Sequence, residues 1–448
     1  MLNRRSVDAV AAAAVSARET RPLYGSYCFS RIPWTLESAL TGEPNPRSLP
    51  PDTLGALAGR PRTVVLLFVD AFGWRFFEEH AERTPALARF LRDGTVSKLT
   101  SLFPSTTSAH VACLHSGLTP AESGIYEWYQ YEPAVGEMIA PLLSSRAGEK
   151  GRDGLDLPPG VLFEGETLHE RLAARGVRST SVTPAEFTPS PFNDEFTRGT
   201  TEVPYKGLAR GLNALVREVR APGGPEPRLI HYYYGGIDRN AHRFGPGSTE
   251  LRATVRRFFD ELERRFFAVL ERDRDGGATG GRRTEANEAV TGAGTGASGE
   301  TCIVLTADHG MMGHDPARTV YLNRVLPAVA EWFERGAAGG PKVPAGSPRD
   351  FFLHLREECF EEAVDAIRDA LAGVAEVRAV GDLVAAGYFG DAPPSPRFLD
   401  RVGNAVILPY PGRAVWWYEE DRFESRHPGD HGGLSPDEME IPFGVLSI

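Results

Sequence analysis

The stretch Thr63-Val-Val-Leu-Leu-Phe-Val-Asp70, preceded by Arg60-Pro61-Arg62, constrains the fold more than any other part of the chain. It is apolar without alternation. A strand with one face in water alternates polar and apolar side chains. A continuous run this short therefore belongs to a strand covered on both faces, as in a parallel sheet between helical layers. The run ends in a carboxylate. Comparable runs lie at Val177 to Val182, Leu229 to Tyr234, Cys302 to Leu305 and Ala405 to Leu408, with helical patterns between several of them. That alternation predicts an α/β fold. With 448 residues, 41% of them hydrophobic, the chain can bury roughly three quarters of its unfolded surface.

The clearest helix spans about Leu251 to Leu270, where Leu251, Val255, Phe258, Leu262, Phe266 and Val269 recur at steps of three or four. It is predicted to stop at Arg274-Asp275-Gly276-Gly277. Residues 274–299 carry too little bulky apolar surface to offset ordering entropy and read as a flexible insertion. Residues 1–60 read as an N-terminal extension packing on a core formed by a single catalytic domain, 61–448. Within it, about 127–207 has few strand signals, and about 320–399 holds a strand near Phe351 to Leu355 and a helix from about Glu357 to Leu371.

Charge excludes some functions. The 49 Lys and Arg against 60 Asp and Glu leave a net charge of -11, which argues against a protein that holds nucleic acid by its phosphates. Cys28, Cys113, Cys302 and Cys359 form no close pair, so neither a disulfide framework nor a thiolate zinc site is expected. No run reaches the roughly 18 apolar residues of a spanning helix. The Ala9 to Val15 run reads as a short surface helix rather than a leader. Together these point to a reducing compartment, the cytoplasm, and no membrane partner.

Five short segments combine ligand-type side chains with loop punctuation. Val69-Asp70-Ala71-Phe72-Gly73 puts a carboxylate at the carboxyl end of a buried strand, where open α/β sheets bind ligands. Phe103-Pro104-Ser105-Thr106-Thr107-Ser108-Ala109-His110 sets hydroxyls before a short helix that Gly117 can end. Unpaired N–H groups there suit a phosphoryl oxygen. Asp238 and His242 stand four apart; Asp308 and His309 are adjacent before Gly310; His431 lies among glycines in Pro428-Gly429-Asp430-His431-Gly432-Gly433. Each segment alone has a plainer reading as a helix cap, turn or salt bridge. A threonine hydroxyl is a poor nucleophile unless a metal or base stabilises its alkoxide. Together, three carboxylates and three imidazoles make an N/O set suited to zinc, manganese or iron rather than calcium. They divide into two three-ligand sites.

In motif order the sequence resembles the alkaline phosphatase superfamily, most closely its type I phosphodiesterase and nucleotide pyrophosphatase branch, from Val64 to Pro442. The resemblance implies a three-layer sandwich with a central, mostly parallel sheet and inserted loops. It implies that Thr107 is the nucleophile, with Thr106 its local competitor. By the same resemblance Asp70, Asp308, His309 and Thr107 surround one divalent metal, while Asp238, His242 and His431 hold the other. Zinc is the expected ion and manganese the substitute. The asparagine that the family places beyond its nucleophile is replaced at that spacing by Trp128, whose indole could still donate a hydrogen bond. Neighbouring Glu127 would repel phosphate unless it faces a cation or water.

The expected activity is hydrolysis of a phosphodiester or phosphoanhydride in a small phosphorylated substrate, through a covalent phosphothreonine. A phosphomonoester, sulfate-ester or phosphonate hydrolase, a phosphosugar mutase and a noncatalytic metal- or ligand-binding module remain the alternatives. Tyr129, Tyr232, Tyr233 and Tyr234 are candidates, with Trp128, to line an organic-group pocket or to support the fold. His110, His115, His314 and His427 lie near the motifs without being needed as ligands.

Overall fold

Strand β1 (Thr63–Val69) is buried at all seven positions. It has a parallel neighbour on each side, which explains its unbroken apolar run. In chain order the sheet continues with β2 (Thr95–Thr100), β3 (Arg178–Pro184), β4 (Thr201–Tyr205), β5 (Arg228–Tyr234), β6 (Thr301–Thr306) and β7 (Glu440–Ser447). Their spatial order is β2-β7-β6-β1-β5-β3-β4. The five strands from β6 to β4 are parallel, and β7 runs antiparallel to both β6 and β2. This computed structural model describes residues 1–149, 155–222, 224, 226–279 and 301–448. The α/β class and mostly parallel central sheet expected from the sequence are those observed.

Some expectations need correction. Ala405–Pro409 is a strand of a second, four-stranded antiparallel sheet, with Ala345–Ser347, Asp350–Leu353 and Ala375–Ala379. Its Ala405 and Ile407 pack into one apolar cluster, and Val406 and Leu408 into another. Both faces are buried, so it carries the same unbroken run as a parallel central strand. The region about 127–207, which signalled few strands, supplies β3 and β4 of the main sheet. A small sheet of Gln130–Glu132, Glu137–Ala140 and Ser145–Arg146 lies there too. β3 and β4 lie at one side of the sheet and carry polar side chains on partly covered faces, which hides the pattern.

The long helix begins at Thr249 and runs through a π-helical turn, Glu263–Phe267, into Ala268–Thr279. That extra residue in the turn lets both Phe266 and Phe267 face the core. The helix continues past Arg274, where it was predicted to stop. The remainder of the predicted insertion 274–299 lies outside the described residues. At the amino end, Asn3 caps the helix Arg4–Ala12, and Met1 and Asn3 pair with Val96 of β2. Phe29, Ile32 and Leu36 join the main core. Among the described residues, no helix is long and apolar enough to cross a membrane. All four cysteines are buried, and among the described residues none forms a disulfide.

Candidate functional site

Strands β6, β1 and β5 are adjacent and parallel, so their carboxyl ends open on one edge of the sheet, and each delivers one aspartate there. Asp70 follows β1 directly, Asp308 lies just beyond β6, and Asp238 sits in the first turn of the helix Gly236–Phe244 that follows β5. The Asp70 backbone N–H still donates to the Tyr234 carbonyl at 3.1 Å. The chain then turns through Ala71 at φ 58°, a left-handed conformation unusual for a residue with a Cβ. Asp308 Oδ1 accepts from the N–H groups of Ala71 (3.0 Å) and His309 (2.9 Å). The Tyr233 hydroxyl donates to Asp70 Oδ2. Asp70 and Asp308 thereby each have one oxygen tied down. Asp70 Oδ1, Asp308 Oδ2 and Asp238 Oδ1 are buried with no hydrogen-bond partner. Buried polar oxygens are rarely left unsatisfied, so these three are placed for cations.

The imidazoles follow one rule. His242 Nδ1 lies 2.8 Å from the Gly429 carbonyl, His309 Nδ1 2.8 Å from Gly310 O, and His431 Nδ1 2.8 Å from Ser105 O. A carbonyl can only accept, so Nδ1 donates in each and Nε2 keeps its lone pair for a metal. His309 Nε2 is 3.5 Å from Asp70 Oδ1 and 3.4 Å from Asp308 Oδ2. His242 Nε2 stands 3.3 Å, and His431 Nε2 3.7 Å, from Asp238 Oδ1.

Ligand atoms of Asp70, Asp308 and His309 lie within 4.8 Å of one another, as do those of Asp238, His309 and His431. The two candidate clusters thus meet at His309, whose ring stacks on His431 at 3.6 Å between centroids. The sequence division gave His309 to one side only; His242 closes on Asp238 from the helix, four residues along. Gly310 is required by contact rather than by a left-handed turn: a Cβ there would stand 2.0 Å from the Asp437 carbonyl oxygen.

Crowding makes the site electrostatically demanding. Burial, then the charges of Asp308 and Asp238, push Asp70 well above the usual carboxylate range, and burial lifts Asp308 to about 6. Burial also acts to raise Asp238, but His242, His431 and His309 together draw it below its ordinary value. Carboxylates that repel one another so strongly call for positive charge, and their free oxygens with the free Nε2 atoms suit divalent N/O-binding ions.

Thr107 opens the helix Thr107–Ser116, which Gly117 ends in the left-handed conformation at φ 81°. Its Oγ1 is 3.2 Å from His309 Nε2. Thr106 occupies the N-cap position without capping; its hydroxyl is buried and has no partner. His110 fixes the loop between: Nδ1 donates to Thr106 O (2.7 Å), and Nε2 accepts from Leu102 N (3.0 Å).

Thr107, Asp238, His242 and His431 border a cavity of about 340 Å³ whose far walls include Trp128, Tyr129, Trp416, Phe423 and Arg422. Trp128 therefore reaches the site, at its rim. Tyr232 stacks on Tyr205 inside the core, and Tyr234 stacks on Phe258, so neither lines this cavity. Of the spare histidines, His427 borders the cavity. His314 donates to Asp430 Oδ2 at 2.6 Å, and Asp430 Oδ1 lies 3.4 Å from His242 Nδ1. His115 pairs with His169, Nδ1 to Nε2, at 2.8 Å. Sequence reasoning missed the supporting roles of Tyr233 and Asp430. Asp430 had a signal, its place beside His431 in a glycine-rich loop; Tyr233 had only its position at the end of a strand.

The family model described as type I phosphodiesterase / nucleotide pyrophosphatase matches residues 64–434. None of the curated proteins matches. Among solved structures, murine ectonucleotide pyrophosphatase / phosphodiesterase 5 superposes with a TM-score of 0.60 at 17% identity, covering 86% of this chain and 87% of that one. An inactive variant of the murine protein in complex with AMP gives the same values. The human counterpart gives a TM-score of 0.59 at 15% identity, with 86% and 87% covered.

Proposed function

The chain belongs to the type I phosphodiesterase / nucleotide pyrophosphatase family, a metal-binding hydrolase of the alkaline phosphatase superfamily, and from that premise we propose that it cleaves phosphodiesters or phosphoanhydrides with Thr107 as nucleophile. The observation that carries the reading is the Thr107 hydroxyl, 3.2 Å from His309 Nε2 where the two ligand clusters meet. Asp70, Asp308 and His309 would hold one divalent cation; Asp238, His242 and His431 would hold the second, zinc ahead of manganese. When bound, such ions favour the ionised threonine and offset charge gathering on the phosphoryl oxygens.

The chain's own part is positional. The helix Thr107–Ser116 aims its unpaired N–H groups and positive end at the phosphoryl group, which the Thr107 oxygen attacks in line. The bond to the leaving oxygen breaks as the threonine–phosphorus bond forms. Water then adds from the vacated side and frees Thr107, giving overall hydrolysis. The aromatic wall of Trp128, Tyr129, Trp416 and Phe423, with Arg422 beside it, favours a substrate whose phosphoryl group carries a large apolar or aromatic organic group. The AMP complex of the murine relative makes nucleotide esters the first to try.

The test is a panel of chromogenic phosphodiester, phosphomonoester, sulfate and phosphonate substrates offered to metal-reconstituted protein and to Thr107→Ala. The diester should be preferred, and Thr107→Ala should keep its metal and lose turnover. A preferred monoester or sulfate overturns the bond class; an active Thr107→Ala beside an inactive Thr106→Ala overturns the nucleophile.

A further inference from the structure

Thr107 borders a second cavity besides the aromatic one. The aromatic cavity carries Asp238, His242 and His431. The second, of about 50 Å³, touches none of the candidate metal ligands, and among the described residues that border it none is charged. Three elements build it. Thr107, Val111 and His115 stand four apart and share one face of the helix Thr107–Ser116. His231 and Tyr233 alternate along β5, so both point to one side of the sheet, and Ser181 and Thr183 do the same on β3. His231 and Ser181 are register partners across the two strands. Leu142 and Phe187 add apolar wall.

The polar part of this wall lacks a partner. His231 Nδ1 lies 3.2 Å from the Ser181 hydroxyl, which lies 3.0 Å from the Thr183 hydroxyl, while His231 Nε2 is buried with no hydrogen-bond partner. His115 commits Nδ1 to His169 at 2.8 Å, which leaves Nε2 as its free ring nitrogen. Burial lowers His115 to about 4 and His231 well below its ordinary value, so both rings are uncharged at neutral pH. Neutral imidazoles and hydroxyls pair with a ligand hydroxyl, but nothing in the wall offsets the desolvation of a phosphate, carboxylate or ammonium group. At roughly 10–15 Å³ per water the cavity holds about four waters, the bulk of a short hydroxyalkyl chain and far less than a nucleoside.

We infer that this cavity is the subsite for the ester arm that stays on phosphorus, and that it selects a short, neutral hydroxyalkyl group of hydroxypropyl or glyceryl size, with His231 and His115 as the specificity-determining residues. The inference rests on the hydrolase reading with Thr107 as nucleophile. Negative charge develops on the leaving oxygen, so the leaving group belongs beside Asp238, His242 and His431, in the aromatic cavity. The retained arm then falls on the side of Thr107 that carries no ligand. Val111, Leu142 and Phe187 cover its carbon chain, and the imidazoles and hydroxyls take its O–H. The Thr107 oxygen bonds to phosphorus as the bond to the aromatic-side oxygen breaks, and that arm departs as an alcohol with the threonine proton. Water then releases the hydroxyalkyl phosphomonoester and restores the Thr107 hydroxyl. The substrate class is thus an unsymmetrical diester with one large apolar arm and one small hydroxylated arm, and a nucleoside fits only the aromatic side.

The experiment offers the full-length, metal-reconstituted protein 4-nitrophenyl phosphodiesters that differ only in the second arm: butyl, 3-hydroxypropyl, phenyl and 5′-thymidyl. Nitrophenolate release, corrected for the Thr107→Ala background, gives kcat/KM. Calorimetric binding of the same series to metal-loaded Thr107→Ala reads the subsite without turnover. The 3-hydroxypropyl ester should exceed the isosteric butyl ester about tenfold in kcat/KM and in affinity, because the butyl arm leaves the His231 nitrogen unpaired. The phenyl and thymidyl esters should be the poorest. His231→Ala should erase the hydroxyl preference and improve the phenyl ester, with metal content unchanged. A butyl ester as good as the hydroxypropyl ester, or a preferred thymidyl ester, overturns the subsite whether or not the variant folds. A hydroxyl preference that persists in folded His231→Ala and His115→Ala also overturns it. Turnover of every ester at one rate rejects the subsite and leaves the hydrolase reading standing; turnover of none rejects the hydrolase reading, and the binding series then decides the subsite alone.

Discussion

The Tyr233 hydroxyl donates to Asp70 Oδ2, so that Oδ1, the oxygen facing His309 Nε2 at 3.5 Å, is the one left for a cation. The penultimate residue of β5 thereby orients a carboxylate at the end of β1. Partners of this kind influence metal affinity by roughly 10- to 100-fold when removed. Tyr233→Phe should weaken metal binding in that range while turnover at saturating metal changes less. A competition titration against a chelator checks it, and unchanged affinity would show that Asp70 is oriented by its backbone alone.

Asp430 plays the corresponding part for His242, with His314 behind it. The Gly429 carbonyl also holds His242 Nδ1, at 2.8 Å, so loss of the carboxylate should be felt less than loss of Tyr233. Asp430→Asn is expected to release one metal equivalent more readily than the other on stepwise chelation. Loss of both ions together would mean that the two clusters behave as one.

Trp128 lines the cavity rather than the metal clusters. Trp128→Ala should raise KM for an aromatic diester by roughly tenfold, the effect of about 1.4 kcal/mol of lost contact, and change kcat little. Equal losses for methyl and aromatic esters would instead assign the indole to the phosphoryl group.

His115 and His354 set a pH limit on the fold. Burial lowers His115 from its ordinary 6.5 to about 4 and His354 to about 3. Between those values and 6.5 the unfolded chain binds protons that the folded chain refuses, so stability is full above about 6.5 and is lost as the pH falls through the window. Each histidine contributes about 1.4 kcal/mol per pH unit there. Melting temperatures of metal-free protein between neutral and mildly acidic pH should fall, and the slope should flatten in a His115→Gln, His354→Gln double variant. An unaltered slope would refute the assignment.

Gly310→Ala places a Cβ 2.0 Å from the Asp437 carbonyl oxygen. Backbone on both sides leaves nothing flexible to yield, so the substitution should cost about 1–3 kcal/mol and displace His309. Calorimetry and zinc stoichiometry would both register it; a variant as stable as the parent would show that the loop relaxes freely.

Much of the site was legible because its ligands are local patterns. Asp70 closes an apolar run, Asp238 and His242 share a helical turn, and Asp308-His309 and His431 stand beside glycines. The supporting residues were not, since Tyr233 is one of three consecutive tyrosines whose roles differ only by the direction in which the strand points each ring.

The sequence by itself determined that buried parallel strands end in carboxylates and that imidazoles on loops complete an N/O ligand set, because strand burial and ligand chemistry are written in neighbouring residues. Folding alone decided that Ala405–Pro409 leaves the central sheet and that His309 lies between the two clusters. An apolar run records that both faces are covered but not by what, and a polar side chain records what it can bind but not what it meets. Those choices are made by packing between segments far apart in the chain.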